Sequence, residues 1–151
     1  MVIPFALTPF NLADLKAILN LEQDVFPEDT YGMVEFLSLY VRGKDTFIVA
    51  RAGKKVVGYI IAYVEDYTGY VASIAVDPET RGQGLGRLLM ETEMARLFEH
   101  GAEKIGLHVR EDNVAAIHLY ESLGFVTQET VAHYYEGGAS ALYMERETSS
   151  P

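Results

Sequence analysis

Residues 76–87 read Val76-Asp77-Pro78-Glu79-Thr80-Arg81-Gly82-Gln83-Gly84-Leu85-Gly86-Arg87, with glycine at every second position where a β-rich run gives way to an amphipathic segment. The run ends a strand and opens a helix, so the chain must combine sheet and helix. The first N–H groups of such a helix lack intrahelical partners, the helix dipole is positive there, and glycine lets an anion approach the main chain closely. Arg81 and Arg87 add formal positive charge. Two other phosphate loops are excluded by spacing. Position 87 is arginine where G-x-G-x-x-G needs its last glycine, and no Gly-Lys-Ser/Thr follows. Taken alone, the loop also reads as a plain structural turn.

The flanking sequence supplies the rest of the architecture. Leu12, Leu15, Ile18, Leu19 and Val25 or Phe26 recur at near-helical spacing within Asn11 to Phe26, and Met33, Phe36, Leu37 and Tyr40 do so within Tyr31 to Val41. Thr46 to Arg51, Val56 to Val64 and Tyr70 to Asp77 are rich in Val, Ile, Tyr and Phe and read as three antiparallel strands. Leu85 to Phe98 reads as a helix with Leu85, Leu88, Leu89, Thr92, Ala95 and Phe98 on one side. A strand over Ile105 to Arg110, a helix from Asn113 to about Leu123 ended by Gly124, and strands over Phe125 to Thr130 and Ala141 to Arg146 complete the expectation. The fold class is α/β (α+β), a mixed sheet with helices on both faces. Residues 1–147 are expected to form one domain and 148–151 a frayed tail.

Composition narrows the chemistry. The chain has 151 residues, no cysteine, and 22 acidic against 12 basic side chains, a formal net charge of -10. No acyl-cysteine intermediate or thiolate metal site is available. The acidic balance argues against a nucleic-acid partner and favours a cationic one such as an ammonium. No apolar run approaches the ~18 residues of a membrane span and no leader pattern precedes the first helix, so a cytoplasmic location without membrane attachment is expected. His100, His118 and His133 show no metal-ligand spacing, and no metal is expected.

Arg81-x-x-Gly84-x-Gly86, following a β-rich run with Asp77-Pro78, resembles the signature of the GNAT acetyltransferases, and the likeness extends over nearly the whole chain. The resemblance implies the order strand, two helices, three strands, helix, strand, helix, two strands, with a central sheet of about seven strands. It implies acetyl-coenzyme A as cofactor. Its pyrophosphate would lie on the loop of Arg81, Gly82, Gln83, Gly84, Leu85, Gly86 and Arg87, and its pantetheine arm beside Ile74, Ala75 and Val76. Asn113, Ala116, Ile117 and Tyr120 share one helix face by spacing. On their own, Asn113 reads as an N-cap and Tyr120 as a core aromatic. The stretch Asn113 to Phe125 is similar to the family's second coenzyme A motif, which implies that Asn113 contacts the cofactor and Tyr120 is the general acid.

Leu107-His108-Val109 resembles the corresponding strand in catalytic subunits of protein N-terminal acetyltransferases, some of which pair a tyrosine and a histidine at the positions of Tyr70 and His108 to relay the amine proton. The chain also resembles ribosomal-protein alanine acetyltransferases, where a glutamate stands in place of His108. The base is therefore open between His108, Tyr70 and a water chain. Phe26, Pro27, Glu28 and Tyr31, the pair Tyr134 and Tyr135, and the ending from Gly138 to Met144 resemble the substrate-lining loops and final strand of the N-terminal acetyltransferases. The expected activity is acetyl transfer to a primary amine, foremost the α-amine of a protein or peptide. A small-molecule amine acetyltransferase and a non-catalytic coenzyme A-binding protein are the alternatives.

Overall fold

A computed structural model describes residues 5–148 of the chain. Asn11 begins the helical region. Its Oδ1 accepts from the Ala13 N–H at 2.9 Å while the Asp14 carboxylate accepts from the Asn11 N–H at 3.1 Å, a reciprocal cap. In chain order the elements are strand β1 (Ala6–Pro9), helices α1 (Leu15–Val25) and α2 (Met33–Arg42), and strands β2 (Phe47–Ala52), β3 (Lys55–Glu65) and β4 (Thr68–Val76). Helix α3 (Leu85–Glu99), strand β5 (Lys104–Arg110), helix α4 (Val114–Ser122) and strands β6 (Val126–Val131) and β7 (Ala141–Glu147) follow. The strands form a seven-stranded sheet in the order β1-β2-β3-β4-β5-β7-β6. Its neighbours are antiparallel except for β4 and β5.

Strand β4 begins at Thr68, two residues before the expected start. Asp66 and Tyr67 have φ of 51° and 62° and make a two-residue hairpin, so the ladder with β3 continues to Thr68 opposite Glu65. The two helical layers cover opposite faces of the sheet. Ile18 and Leu21 of α1 and Phe36 of α2 pack on Phe47, Val49, Tyr59, Ile61 and Ala75. On the other face α3 and Tyr120 of α4 pack on Ile48, Ile60, Val71, Ile105 and Leu107.

The buried stripe of α3 differs from the expected one. It comprises Leu85, Leu89, Met90, Glu93, Met94 and Leu97, while Leu88 is 39% exposed and Ala95 faces solvent. The observed stripe is rotated from the expected one, burying Met90, Met94 and Leu97 together with Glu93, which is fully buried with both carboxyl oxygens lacking a hydrogen-bond partner. Burial pushes its carboxyl up to about 9 from the ordinary 4.5. Between these values the folded chain keeps a proton that the unfolded chain has released, so this residue lowers stability as pH rises through the window. Glu93→Met is expected to raise the unfolding free energy by about 1–3 kcal/mol near pH 8, with a smaller gain near pH 5. Urea titrations at the two pH values check it; an equal or negative difference contradicts the reading.

The feature that positions the site is a split in the sheet. Strands β4 and β5 pair only over Thr68–Val71 against Lys104–Leu107. At that point the β3–β4 register shifts, with Val71 opposite Ala62 but Ser73 opposite Ile61, so Ala72 is an extra residue in β4. Such a bulge bends and twists its strand. Beyond it β4 follows β3, while His108–Arg110 follow β7. A wedge opens between them, and the β4 edge from Ser73 to Val76 faces it. Residue Thr148 is held by hydrogen bonds to Glu103 O, and the remainder of the expected tail, 149–151, lies outside the described residues.

Candidate active site

The wedge belongs to a cleft of about 860 Å³ that runs from the glycine loop to the α1–α2 loop. At the loop end, Gly82 and Gly84 have φ of +81° and +82°, the left-handed region that L side chains rarely adopt. Gly84 is the N-cap of α3 and makes no side-chain capping bond, so the first amides of this 15-residue helix are left facing the cleft mouth. Gly86 lies beside α4, where a Cβ would make ordinary contact with Leu119 Cδ2 at 3.5 Å. Upstream, Asp77 accepts from the Glu79 N–H at 2.9 Å, and this bond with the nearby Lys55 holds its carboxyl below the usual range.

The structure brings most of the anticipated cofactor residues into one wall. Ile74, Ala75 and Val76 supply the open strand edge, and Arg81, Gly82, Gly84, Leu85, Gly86 and Arg87 border the same cleft. Gln83 is exposed and does not border it. Arg87 is partly committed elsewhere, since its Nη2 donates to Ser122 Oγ of α4 at 2.5 Å. An open backbone edge beside helix-N-terminal amides and two arginines suits a long ligand with amide groups at one end and phosphates at the other.

Asn113 and Tyr120 both border the cleft from α4. Asn113 is the N-cap, accepting from the Ala116 N–H at 3.2 Å. Tyr120 lines the cleft from α4 and is 7% exposed. Burial alone pushes its phenol up to about 12, with no charged or hydrogen-bonding group contributing. At neutral pH the phenol therefore keeps its proton, and its hydroxyl makes no hydrogen bond among the described residues.

The other wall carries the base candidates. Tyr70 is paired with Gly106, and His108, two residues further along β5, falls on the same face, with Tyr70 Oη and His108 Nδ1 2.6 Å apart. Tyr134, from the β6–β7 loop, stacks on His108 with ring centroids 4.4 Å apart and planes 11° from parallel. Burial lowers the His108 imidazole, and the more distant Glu129 opposes this. The neutral ring is the resting form. Burial, reinforced by the neighbouring tyrosines, raises the Tyr70 phenol far above its ordinary value, so it too is neutral.

Beyond this pair the cleft is walled by Phe26, Pro27, Glu28, Tyr31, Tyr134 and Tyr135, all anticipated as acceptor contacts. Sequence reasoning missed two further charged groups here. Glu22, 1% exposed on α1, accepts from Tyr59 Oη, from Ser73 Oγ at 3.0 Å and from the Tyr31 N–H at 3.0 Å. It fixes the start of the acceptor wall to the bulged part of β4. Burial raises its carboxyl, against the lowering effect of these three donors. The second is Arg110, whose Nη1 lies 2.7 Å from Asp29 Oδ2. Glu22 interrupts the apolar stripe of Leu15, Ile18 and Leu19, a local signal of a buried carboxylate that does not name its partners, and Arg110 stands at a strand end with no such signal.

The Acetyltransferase (GNAT) family model matches residues 15–125. The chain belongs to this family and is an N-acetyltransferase that uses acetyl-coenzyme A as acetyl donor. It is 34% identical over 149 residues to an N-alpha-acetyltransferase of Sulfurisphaera tokodaii, covering 89% of this chain and 87% of that protein. The catalytic subunit of the N-terminal acetyltransferase B complex of Arabidopsis thaliana is 33% identical over 151 residues, with 93% and 83% covered. The ribosomal-protein-S18-alanine N-acetyltransferase of Escherichia coli superposes with a TM-score of 0.85 at 29% identity, covering 98% of this chain and 96% of that one.

Proposed function

We propose that this N-acetyltransferase acetylates the α-amine of a protein or peptide N-terminus. The observation that carries the reading is the acceptor side of the cleft, where a Tyr70–His108 hydrogen bond lies beneath the stacked Tyr134 and faces the aromatic α1–α2 loop. The N-alpha-acetyltransferase relatives support it. Acetyl-coenzyme A supplies an acyl carbon already activated by its thioester.

The chain's own residues do the rest. The loop amides and Arg81 hold the pyrophosphate, and the open β4 edge at Ile74 to Val76 aligns the pantetheine arm. An α-amine with a pKa of about 7.7–8.0 needs only a modest base, unlike a lysine at about 10.4. Tyr70 Oη, directly or through one water, accepts the amine proton while its own proton passes to His108 Nδ1, which leaves imidazolium and a neutral phenol. Tyr120 holds a proton at its Oη on the opposite wall. A thiolate of pKa about 8.5 is a leaving group that such a donor assists. With no cysteine in the chain no acyl-cysteine intermediate can form, and the amine attacks the thioester directly in this reading.

Gly84→Val tests the loop. A β-branched residue forced to φ near +82° costs about 1–3 kcal/mol and will move the amides instead. The acetyl-coenzyme A KM is expected to rise about tenfold or more, with the acceptor KM nearly unchanged. Steady-state kinetics with each substrate varied checks it, and an unchanged cofactor KM refutes the assignment. The acceptor class is tested by thiol release across N-terminal peptides, end-blocked lysine peptides, polyamines and amino sugars. Turnover confined to free α-amines supports the reading; turnover confined to small amines discards it.

A further inference from the structure

Three segments surround the acceptor end of the cleft: the α1–α2 loop, the β5–α4 connection and the β6–β7 loop. One side chain touches all three. Arg110, the last residue of β5, places Nη1 2.7 Å from Asp29 Oδ2 and 3.6 Å from Glu28 Oε2 in the first loop. Its Nε lies 3.2 Å from Asp112 Oδ1 in the second. Its Cζ lies 5.4 Å from the ring centroid of Tyr135 in the third. Tyr135 in turn meets Tyr134 edge-to-face at 4.9 Å, and Tyr134 stacks on His108.

We propose that Arg110 is the positioning residue of the acceptor site, holding the α1–α2 loop and the Tyr134–Tyr135 wall in register with His108; this rests on the acceptor reading given above. The electrostatics explain why one residue has this reach. Glu28, Asp29 and Asp112 converge on a single guanidinium, and Asp29 is only 12% exposed. Removing the cation leaves three like charges facing one another, one of them poorly solvated, and an unpaired buried charge is strongly disfavoured. The loop carrying Asp29 has no strand or helix of its own between α1 and α2 and is anchored at its far end by the Tyr31–Glu22 bond, so the Glu28–Asp29 segment is the part that can shift outward. The repulsion, as well as the lost bond, displaces it. A planar fork also serves several carboxylates and an aromatic face together, which a lysine ammonium does not.

The test is a double-mutant cycle on peptide acetylation with Arg110→Ala, Asp29→Asn and their combination, each checked for folding by thermal melting. Arg110→Ala is expected to raise the peptide KM about tenfold, with the acetyl-coenzyme A KM within twofold of wild type. Asp29→Asn in that background should recover part of the loss, because it removes a repelling charge. Raising the salt concentration should also narrow the gap between Arg110→Ala and wild type, since the repulsion is screened. Losses that multiply in the double variant, or a cofactor KM that rises in step with the peptide KM, overturn the proposal. If Arg110→Ala does not fold, Asp29→Asn alone must still raise the peptide KM selectively, and an unchanged value overturns the proposal as well. A wild-type enzyme inactive on every peptide would instead defeat the acceptor reading, which separates the two failures.

Discussion

Tyr120→Phe is expected to lower kcat by about 10²–10⁴-fold while the acetyl-coenzyme A KM changes little. The substitution removes one oxygen from a ring that is otherwise packed against Phe125, with centroids 6.0 Å apart, so the wedge keeps its shape. Only the proton is lost. The size of the effect follows from how that proton is held, because burial keeps the phenol protonated up to about 12 and no neighbouring group competes for it. A leaving thiolate then has no donor but water, which the buried wedge restricts. Turnover within threefold of wild type would show that Tyr120 only packs, and that the donor lies elsewhere.

His108→Ala is expected to cost about 10²-fold in kcat/KM and to change the shape of its pH profile. The sign follows from the environment. Burial lowers the imidazole, so its acidic limb lies below the ordinary 6.5, and above that limb the neutral ring is ready to accept. The free α-amine contributes a second limb at about 8. The wild-type logarithmic profile should therefore steepen from slope one to slope two as pH falls through the lowered imidazole value. The variant should keep slope one throughout, because only the amine still titrates. Tyr134 would also lose the ring on which it stacks, so part of the loss will appear in the acceptor KM. An identical profile in the two proteins would exclude His108 as the proton acceptor and leave Tyr70 with a water chain.

The parts of this site that were legible in the sequence share a physical character. The glycine loop is legible because a left-handed backbone at residues 82 and 84 and a helix beginning at residue 85 leave few residue choices, and those choices stand side by side. Asn113 and Tyr120 are legible because seven residues, two helical turns, relate them. His108 and Tyr70 could be nominated separately, but their 2.6 Å contact depends on the parallel register of β4 and β5, which local sequence does not encode. The Ala72 bulge was hidden for a similar reason, since an extra residue in a strand shows only against its partner. Glu22 finds Tyr59 and Ser73 at separations of 37 and 51 residues, and Arg110 finds Asp29 at 81. These bonds form because burial forces polar groups to find partners, wherever in the chain those lie. Glu93 shows the opposite limit: it found none, and the buried stripe of α3 was not legible because apolar residues lie both on the expected side, at Leu88 and Ala95, and on the buried one, at Met90, Met94 and Leu97.

Acceptor choice is tested most directly inside one molecule. A peptide carrying both a free α-amine and an internal lysine, incubated with the enzyme and acetyl-coenzyme A near neutral pH, is fragmented by tandem mass spectrometry to locate the acetyl group. Acetyl is expected on the terminal nitrogen, with the lysine unmodified, through the first full equivalent of product. Acetyl on the lysine with the terminus left free would contradict the α-amine reading.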